Sequence, residues 1–367
     1  MKVTGITVWQ VALTSHVTYH MAAGKTCASV TTTVVRLDTD SGLSGWGEVC
    51  PIPFYLPAYA GGVVPAIGEM ADLIVGCDPV GPEAVLSRLD ARLKGHVYAK
   101  SALDIALWDL TGKAAGLPLY ALLGGRQADD LPLYHSISCL APDEMARMAA
   151  DAQATGITQF QAKLGRDADW RADVARLEAV RDAVGPRPLV YGDWNCGASR
   201  LEAIRVARAV SDLDVMLEQP CETISECAAV KTATGHAMKL DEAAHDTATL
   251  LEGHRLGCMD VVALKLSKFG GLSRLRRARD LCVDLGVLMC IEDTWGSDIA
   301  MAAALHLAAA TPTDSVLNAC DLSGYVAPRL APDAPVRANG RIAPPEGSGL
   351  GVTPDLDALG TPVATFA

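Results

Sequence analysis

Three carboxylates and two lysines in this 367-residue chain have types and spacings that suit acid–base chemistry at a metal ion. Asp193, Glu218 and Asp241 are 25 and 23 residues apart, and Lys163 and Lys265 flank them along the chain. Three converging carboxylates repel one another, and a site built only from oxygen ligands favours Mg²⁺ as the neutralising cation. A lysine beside a bound cation has a lowered pKa, which suits it to proton abstraction. The spacing therefore predicts a magnesium centre between two acid–base lysines.

Each of these residues also has a simpler interpretation. A lone acid after a strand more often caps the next helix than binds a metal. A lone lysine there is usually a solvated charge, and Lys268, which lies in a turn before Gly270 and Gly271, is predicted to be one. Three acids in register on consecutive strands, with lysines on both sides, favour the catalytic interpretation.

From residue 133 onward, short apolar strands alternate with amphipathic helices, and this pattern positions those residues. Strands are predicted at 133–137, 157–163, 188–193, 214–218, 237–241, 260–265, 286–291 and 315–319. Helices are predicted at 142–155, 171–184, 199–210, 222–233, 245–256 and 271–285. Eight strand–helix units favour a closed parallel barrel of the (β/α)8 type. The chemistry of such a barrel lies at the carboxyl ends of its strands, where these acids and lysines stand.

The first 125 residues are predicted to form a separate α+β domain. Strands at 2–10 and 30–39 and a hairpin turn at 39–42 are followed by a proline-rich loop at 50–62. Helices are predicted at 81–93 and 100–123, the second ending at Gly124-Gly125. The predicted domains are thus 1–125, a barrel at 126–320, and a segment at 321–367 that packs back on the first domain.

Composition excludes several classes of function. Lys and Arg total 31 against 43 Asp and Glu, for a net charge of −12, and no basic cluster suggests a nucleic-acid or membrane partner. No G-x-G-x-x-G follows a strand, which weakens a dinucleotide site. The 11 cysteines are scattered without zinc spacing and are predicted to be buried thiols. The N-terminus has the pattern of a strand and not of a signal peptide, so a cytoplasmic location is expected.

Several segments resemble the enolase superfamily, and within it the mandelate racemase/muconate lactonizing enzyme group. They are KSALDIALWD at 100–109, LLGG at 122–125, LEQP at 217–220, LDE at 240–242, and Lys265 followed by Gly270-Gly271. The resemblance implies a modified (β/α)7β barrel, a modified TIM barrel, beneath an N-terminal α+β capping domain. It also implies Mg²⁺ on Asp193, Glu218 and Asp241, acid–base work by Lys163 and Lys265, and a homo-oligomer, either dimer or octamer.

Further segments are similar to the hydroxyproline-type members of that superfamily. These are KGHVY at 94–98, MDVV at 259–262 and IEDTWG at 291–296. The likeness implies a small amino-acid-like carboxylate as substrate and dehydration of cis-3-hydroxy-L-proline to a pyrroline carboxylate through an enediolate. Racemisation or 2-epimerisation of proline betaine, hydroxyproline betaine or another amino-acid derivative is the alternative. The expected substrate-binding residues are Tyr55, Trp295, Asn195 and Asp321, with Asp321 as the contact for the ammonium.

Two departures from the family pattern affect these expectations. The second strand commonly carries Lys-x-Lys, whereas this chain has Gln161 before Ala162 and Lys163. Dipeptide epimerases often have Asp-x-Asp at the eighth strand, whereas Asp321 is followed by Leu322 and Ser323 here, so dipeptides are disfavoured.

The sequence also bears on two other classes of function. A non-catalytic binding protein on the same barrel would be expected to lose a carboxylate or a base, yet all five residues are present. An acid-sugar dehydratase of the superfamily usually has a His–Asp pair at the sixth and seventh strands, where this chain has Lys265.

Overall fold

A long antiparallel hairpin forms the N-terminal part of the protein, whose computed structural model describes residues 1–367. The hairpin pairs β1 (Val3–His20) with β2 (Thr26–Thr39), and β3 (Ser44–Val49) pairs with β2. Both arms are rich in Val and Thr, whose branched side chains suit a pleated surface. The arms are longer than predicted. The predicted turn is confirmed, because the amide of Gly42, at φ +82°, donates to the carbonyl of Thr39.

Five helices follow the hairpin and pack on this sheet. They are α1 (Ala60–Gly68), α2 (Ala71–Ile74), α3 (Pro82–Arg92), α4 (Val97–Ala115) and α5 (Leu119–Leu122). The prediction of one helix over 100–123 was wrong at its end. The chain leaves α4 at Gly116, whose φ is +67°, and Pro118 prevents it from continuing. Helix α1 also begins inside the segment predicted to be a loop, at Ala60.

Eight parallel strands form the barrel, as the sequence predicts. After the short β4 (Leu131–Pro132), they are β5 (His135–Ile137), β6 (Gln159–Lys163), β7 (Leu189–Asp193), β8 (Val215–Glu218), β9 (Met238–Leu240), β10 (Val261–Lys265), β11 (Leu288–Glu292) and β12 (Val316–Ala319). Each strand pairs with the next one along the chain, and a parallel bridge between Leu133 and Ala319 joins the two ends of the sheet.

Seven helices connect the eight strands, which gives the modified (β/α)7β arrangement. They are α6 (Pro142–Ala154), α7 (Arg171–Val184), α8 (Arg200–Ala209), α9 (Ile224–Thr234), α10 (Thr247–Arg255), α12 (Leu272–Leu285) and α13 (Asp298–Ala309), with the one-turn α11 (Leu266–Phe269) preceding α12. In place of an eighth helix, a short 3₁₀ turn, Leu322–Tyr325, follows the eighth strand. The predicted fold class is confirmed.

The end of the chain returns to the N-terminal sheet. It contains β13 (Val326–Ala327), β14 (Arg341–Ile342), α14 (Leu356–Leu359) and β15 (Ala364–Phe366). Both β13 and β15 pair with β1, while β14 pairs with β4 beside the barrel. This segment therefore ties the capping sheet to the barrel.

The barrel and the capping sheet each have an apolar core. All 11 cysteines are free thiols, and all but the half-buried Cys196 are buried. None of the helices combines the length and the apolar character that crossing a membrane requires.

Candidate active site

The sheet register brings the predicted site residues to one rim of the barrel. Lys163 at the end of β6 lies beside Asp193 at the end of β7, and Asp193 lies beside Glu218 at the end of β8. Asp241 directly follows β9, and Lys265 ends β10. Because parallel strands direct their carboxyl ends to one edge, residues far apart in sequence meet there.

Each lysine is bonded to one of the carboxylates. Lys163 donates to Asp193, and Lys265 Nζ lies 2.7 Å from Asp241 Oδ2. Burial disfavours a charged ammonium, but Asp193 and Glu218 outweigh it and raise the pKa of Lys163. The pKa of Lys265 is likewise raised, chiefly by Asp241 acting against burial. In this arrangement the lysines are the cations that neutralise the carboxylates.

Lys268 corrects one expectation, because it is buried and not solvated. It is 3% exposed, and its Nζ lies 2.9 Å from Asp241 Oδ1 and 3.0 Å from the carbonyl oxygen of Ala263. The cause is α11, a single helical turn that places Lys268 three residues after Lys265 and so on the same side. Although burial would raise it, Lys265 and Lys268 together hold the pKa of Asp241 well below its ordinary value.

Glu218 is held from beneath by two residues, one of which sequence reasoning missed. Gln161 Nε2 donates to Glu218 Oε2 at 2.7 Å, and Lys239 Nζ lies 3.0 Å from Glu218 Oε1. The second pair is an ion contact without the alignment of a hydrogen bond. Lys239 stands two residues before Asp241 on a strand, so period-two alternation alone could have placed it on the same inner face.

The donor set of the rim suits Mg²⁺, although the side chains do not yet form a cage. No three Asp, Glu, His or Cys side chains converge closely enough to hold an ion, because the lysines lie between the carboxylates. Two further buried oxygens, Asn195 Oδ1 and Glu242 Oε2, have no partner in the protein. Burial and then the charge of Asp193 raise the pKa of Glu218 to about 7, as expected for crowded carboxylates. The rim therefore fits Mg²⁺ through the type of its ligand atoms, which are carboxylate and amide oxygens, more than through the distances between them.

A small cavity of about 60 Å³ opens beside the two lysines. That volume corresponds to about four to six water molecules at about 10–15 Å³ each. The capping domain supplies part of the wall, including Phe54 and Tyr55 from the loop before α1. Trp295 and Tyr325 close other sides, so these four aromatic side chains line the cavity. The cavity is matched in size to a single small molecule.

Tyr55 and Trp295, two of the predicted substrate-binding residues, both line the cavity. The Tyr55 hydroxyl donates to Asp241 Oδ2, and Lys265 Nζ lies 4.6 Å from the centre of the Tyr55 ring. Tyr55 thus connects the capping loop to the rim. Trp295 Nε1 is a buried donor without a partner, and the indole packs edge-on against Tyr19.

Asn195 and Asp321 are not placed against this cavity. Asn195 supports the rim, because its backbone amide and Nδ2 donate to Asp193 at 2.8 and 3.1 Å, and it faces a wider groove. The expectation for Asp321 needs correction, since its carboxylate accepts from the amide of Gly324 at 3.0 Å and lies 3.6 Å from Arg337. As the cap of a 3₁₀ turn, this acid is directed away from the cavity.

Asp293 lies in the cavity wall beside Glu292, and sequence reasoning assigned it no role. Its Oδ1 accepts from the amides of Ser267 and Thr294 at 3.0 and 2.7 Å. Its Oδ2 is buried without a partner. Burial raises the pKa of Asp293 to about 6, against the hydrogen bonds from Ser267. One oxygen is therefore fixed, and the other has no hydrogen-bond partner in the protein.

Comparison with known proteins agrees with this architecture. Residues 3–124 match the N-terminal domain of mandelate racemase / muconate lactonizing enzyme, and residues 144–358 match the enolase C-terminal domain-like family. The chain is 43% identical to cis-3-hydroxy-L-proline dehydratase of Roseibium aggregatum, with 100% of both chains covered. It is 29% identical to a hydrophobic dipeptide epimerase of Enterococcus faecalis, over 80% of this chain and 83% of that one.

A solved structure adds a metal-bound relative. The crystal structure of a member of the enolase superfamily from Roseovarius nubinhibens ISM, complexed with magnesium, superposes with a TM-score of 0.93. It is 36% identical and is matched over 100% of this chain and 99% of that one. The fold, the two matched domains and the full-length identities lead to one conclusion: the chain belongs to the mandelate racemase/muconate lactonizing enzyme family of the enolase superfamily.

Proposed function

We propose that this protein is a Mg²⁺-dependent dehydratase that converts cis-3-hydroxy-L-proline to a pyrroline carboxylate. The observation that carries the proposal is the pair of lysines, Lys163 and Lys265, in one small cavity beside three carboxylates. They stand on the second and sixth of eight barrel strands, which lie opposite each other around the ring. A substrate between them can therefore be approached from both faces. The full-length likeness to a dehydratase of this substrate supports the choice of reaction.

In the proposed dehydration, the lysines act as the base and the acid. A lysine in its neutral amine form removes the proton from the carbon next to the substrate carboxylate. The C3–O bond then breaks, and the hydroxyl takes a proton from an ammonium and leaves as water. The resulting enamine acid tautomerises to the cyclic imine acid, so atoms and charges balance. Asp193, Glu218 and Asp241 would hold Mg²⁺, which would supply positive charge to stabilise the negative charge that develops on the substrate carboxylate.

Epimerisation is the second candidate, and the opposed lysines favour it as well. A substrate without a leaving group at C3 would regain its proton from the lysine on the opposite face, which inverts the carbon. A betaine substrate would need aromatic contacts for its quaternary ammonium, and Phe54, Tyr55 and Trp295 lie in the cavity wall. The free carboxylate oxygen of Asp293 suits a secondary ammonium better, since such an ammonium can donate a hydrogen bond.

We expect Asp293 to bind the substrate ammonium. Asp293→Asn should raise KM by about 10- to 100-fold, because a hydrogen bond to a charged group contributes about 1.5–3 kcal/mol. Its effect on kcat should be smaller, since the contact exists before and during proton transfer. Steady-state kinetics measure both constants. Asp321→Asn is the matched comparison: it should leave KM unchanged, and a rise for Asp321→Asn alone would assign the ammonium to Asp321 instead.

A proton NMR time course in D₂O tests the reaction itself. The protein with Mg²⁺ is incubated separately with cis-3-hydroxy-L-proline, L-proline betaine and 4-hydroxyproline betaine. Loss of the hydroxyproline signals with growth of a cyclic imine acid is the expected result. Deuterium exchange at the α-carbon of a betaine without elimination would instead establish the epimerase. No change in any substrate would contradict both assignments.

A further inference from the structure

The barrel interior holds a positive charge that the proposed proton transfers do not use. Lys239 on β9 is 0% exposed and is not part of the cavity wall. Its Nζ lies 3.0 Å from Glu218 Oε1 and 4.0 Å from Glu292 Oε1. The same ammonium lies 5.3 and 4.8 Å from the ring centres of Tyr134 and Tyr191. Lys239 is thus enclosed by two acids and two aromatic rings, out of reach of a ligand in the cavity.

Lys239 lies next to Glu218 in the sheet and contacts its carboxylate. It pairs with Glu218 in the sheet register and lies two residues before Asp241, hence one layer beneath the rim. The two oxygens of Glu218 have different partners: the neutral amide of Gln161 contacts Oε2 at 2.7 Å, and Lys239 contacts Oε1. The carboxylate therefore has one partner on each oxygen, and only one of these partners carries charge.

A buried lysine is costly unless its charge is needed. Well-packed apolar residues often replace buried ion pairs with no loss of stability, so a buried pair alone is weak evidence of a stabilising role. At this position, however, the ammonium lies beneath carboxylates that crowd one rim. It offsets one negative charge and fixes the orientation of Glu218. The other two carboxylates have their own cations, because Lys163 pairs with Asp193, and Lys265 and Lys268 pair with Asp241.

We propose that Lys239 is a positioning residue that holds Glu218 in the orientation required for Mg²⁺ binding, and that its positive charge is the essential property. This inference rests on the proposed Mg²⁺ site. It makes a specific prediction about charge: a lysine introduced at position 161, on the other side of the same carboxylate, should be able to take over the role of Lys239.

The test measures Mg²⁺ binding to substrate-free protein by isothermal titration calorimetry, at fixed pH and ionic strength. Lys239→Gln should weaken Mg²⁺ binding by about 10- to 100-fold, the usual effect of losing a residue that orients a metal ligand. Lys231→Gln is the control, because it removes the same charge from an ion pair with Asp260 on the outside of the barrel. It should bind Mg²⁺ like the wild type.

The double variant Gln161→Lys/Lys239→Gln moves the charge to the opposite side of Glu218. It should recover most of the lost Mg²⁺ affinity, a rescue that a purely structural role for Lys239 would not produce. Thermal unfolding without Mg²⁺ reports separately whether each variant is folded. If Lys239→Gln does not fold, the double variant decides: a folded, Mg²⁺-binding double variant supports the proposal.

Three results would overturn it: wild-type affinity in Lys239→Gln, a folded double variant that binds no better than Lys239→Gln, or a double variant that is itself unfolded. Failure of the wild-type protein to bind Mg²⁺ is a different result, since it would remove the proposed magnesium chemistry as a whole. The wild-type titration therefore separates the two failures.

Discussion

Replacing Lys163 or Lys265 by methionine is expected to lower kcat by about 10²- to 10⁴-fold, the usual contribution of a general acid or base. Both lysines lie in the cavity wall, and in the proposed reaction each approaches the substrate from its own side. Each variant should abolish reaction with at least one of the two α-epimers of the substrate, because the lysine on that face is missing. Turnover and α-proton exchange in D₂O, followed by NMR for both epimers, measure these losses separately.

Lys100→Met is the matched control for these two variants. Lys100 is also a buried lysine, 1% exposed, and it pairs with Asp90 at 2.9 Å in the capping domain. Its loss should reduce stability without removing turnover. Mg²⁺ should still bind to the Lys163 and Lys265 variants, since the carboxylates remain. Full activity on both epimers in either of them would refute the assignment of two bases.

Asp241→Asn is expected to abolish Mg²⁺ binding and turnover together. The carboxylate of Asp241 accepts from Tyr55, Lys265 and Lys268, so it is the point at which the cap, one base and a buried cation meet. A neutral amide cannot balance two ammonium groups. Breaking a buried ion pair costs about 3–5 kcal/mol, so the free energy of unfolding should fall by a similar amount. Calorimetric titration with Mg²⁺ and chemical denaturation measure the two effects.

A second buried acid distinguishes loss of the metal from loss of the fold. Asp298 is 0% exposed, accepts from Arg329 at 3.0 Å and lies at the start of α13. Asp298→Asn should lower stability to a comparable extent yet bind Mg²⁺ with wild-type affinity. Equal Mg²⁺ affinity in Asp241→Asn and the wild type would show that Asp241 is not a ligand.

Most of the barrel could be predicted from the chain because its signals are local. All eight strands and the six helices predicted between them were found within about two residues, since each strand is a short apolar run followed by a helix with its own periodicity. The ends of those strands then indicate which side chains share a rim. That is why the sequence predicts that Lys163, Asp193, Glu218, Asp241 and Lys265 lie together, and the sheet register places them at one rim.

The cavity wall could not be predicted in the same way. Asp293 and Asp321 are both acids that follow barrel strands, and nothing in their spacing says which one lines the cavity. The difference depends on neighbours that are distant in sequence. Ser267 orients Asp293 and leaves one oxygen free, whereas the turn at Gly324 takes up the carboxylate of Asp321.

The amino-acid sequence by itself therefore determined the strand–helix order, the family and which carboxylates and lysines end the barrel strands, because periodicity and strand ends are properties of contiguous residues. Only the tertiary structure decided which charges are buried and what they face. From the sequence, Lys268 is predicted to be a solvated turn residue and Lys239 an ordinary strand residue. In the structure both are buried inside the barrel. Burial and pairing depend on the positions of all the surrounding strands at once, so no local pattern contains them.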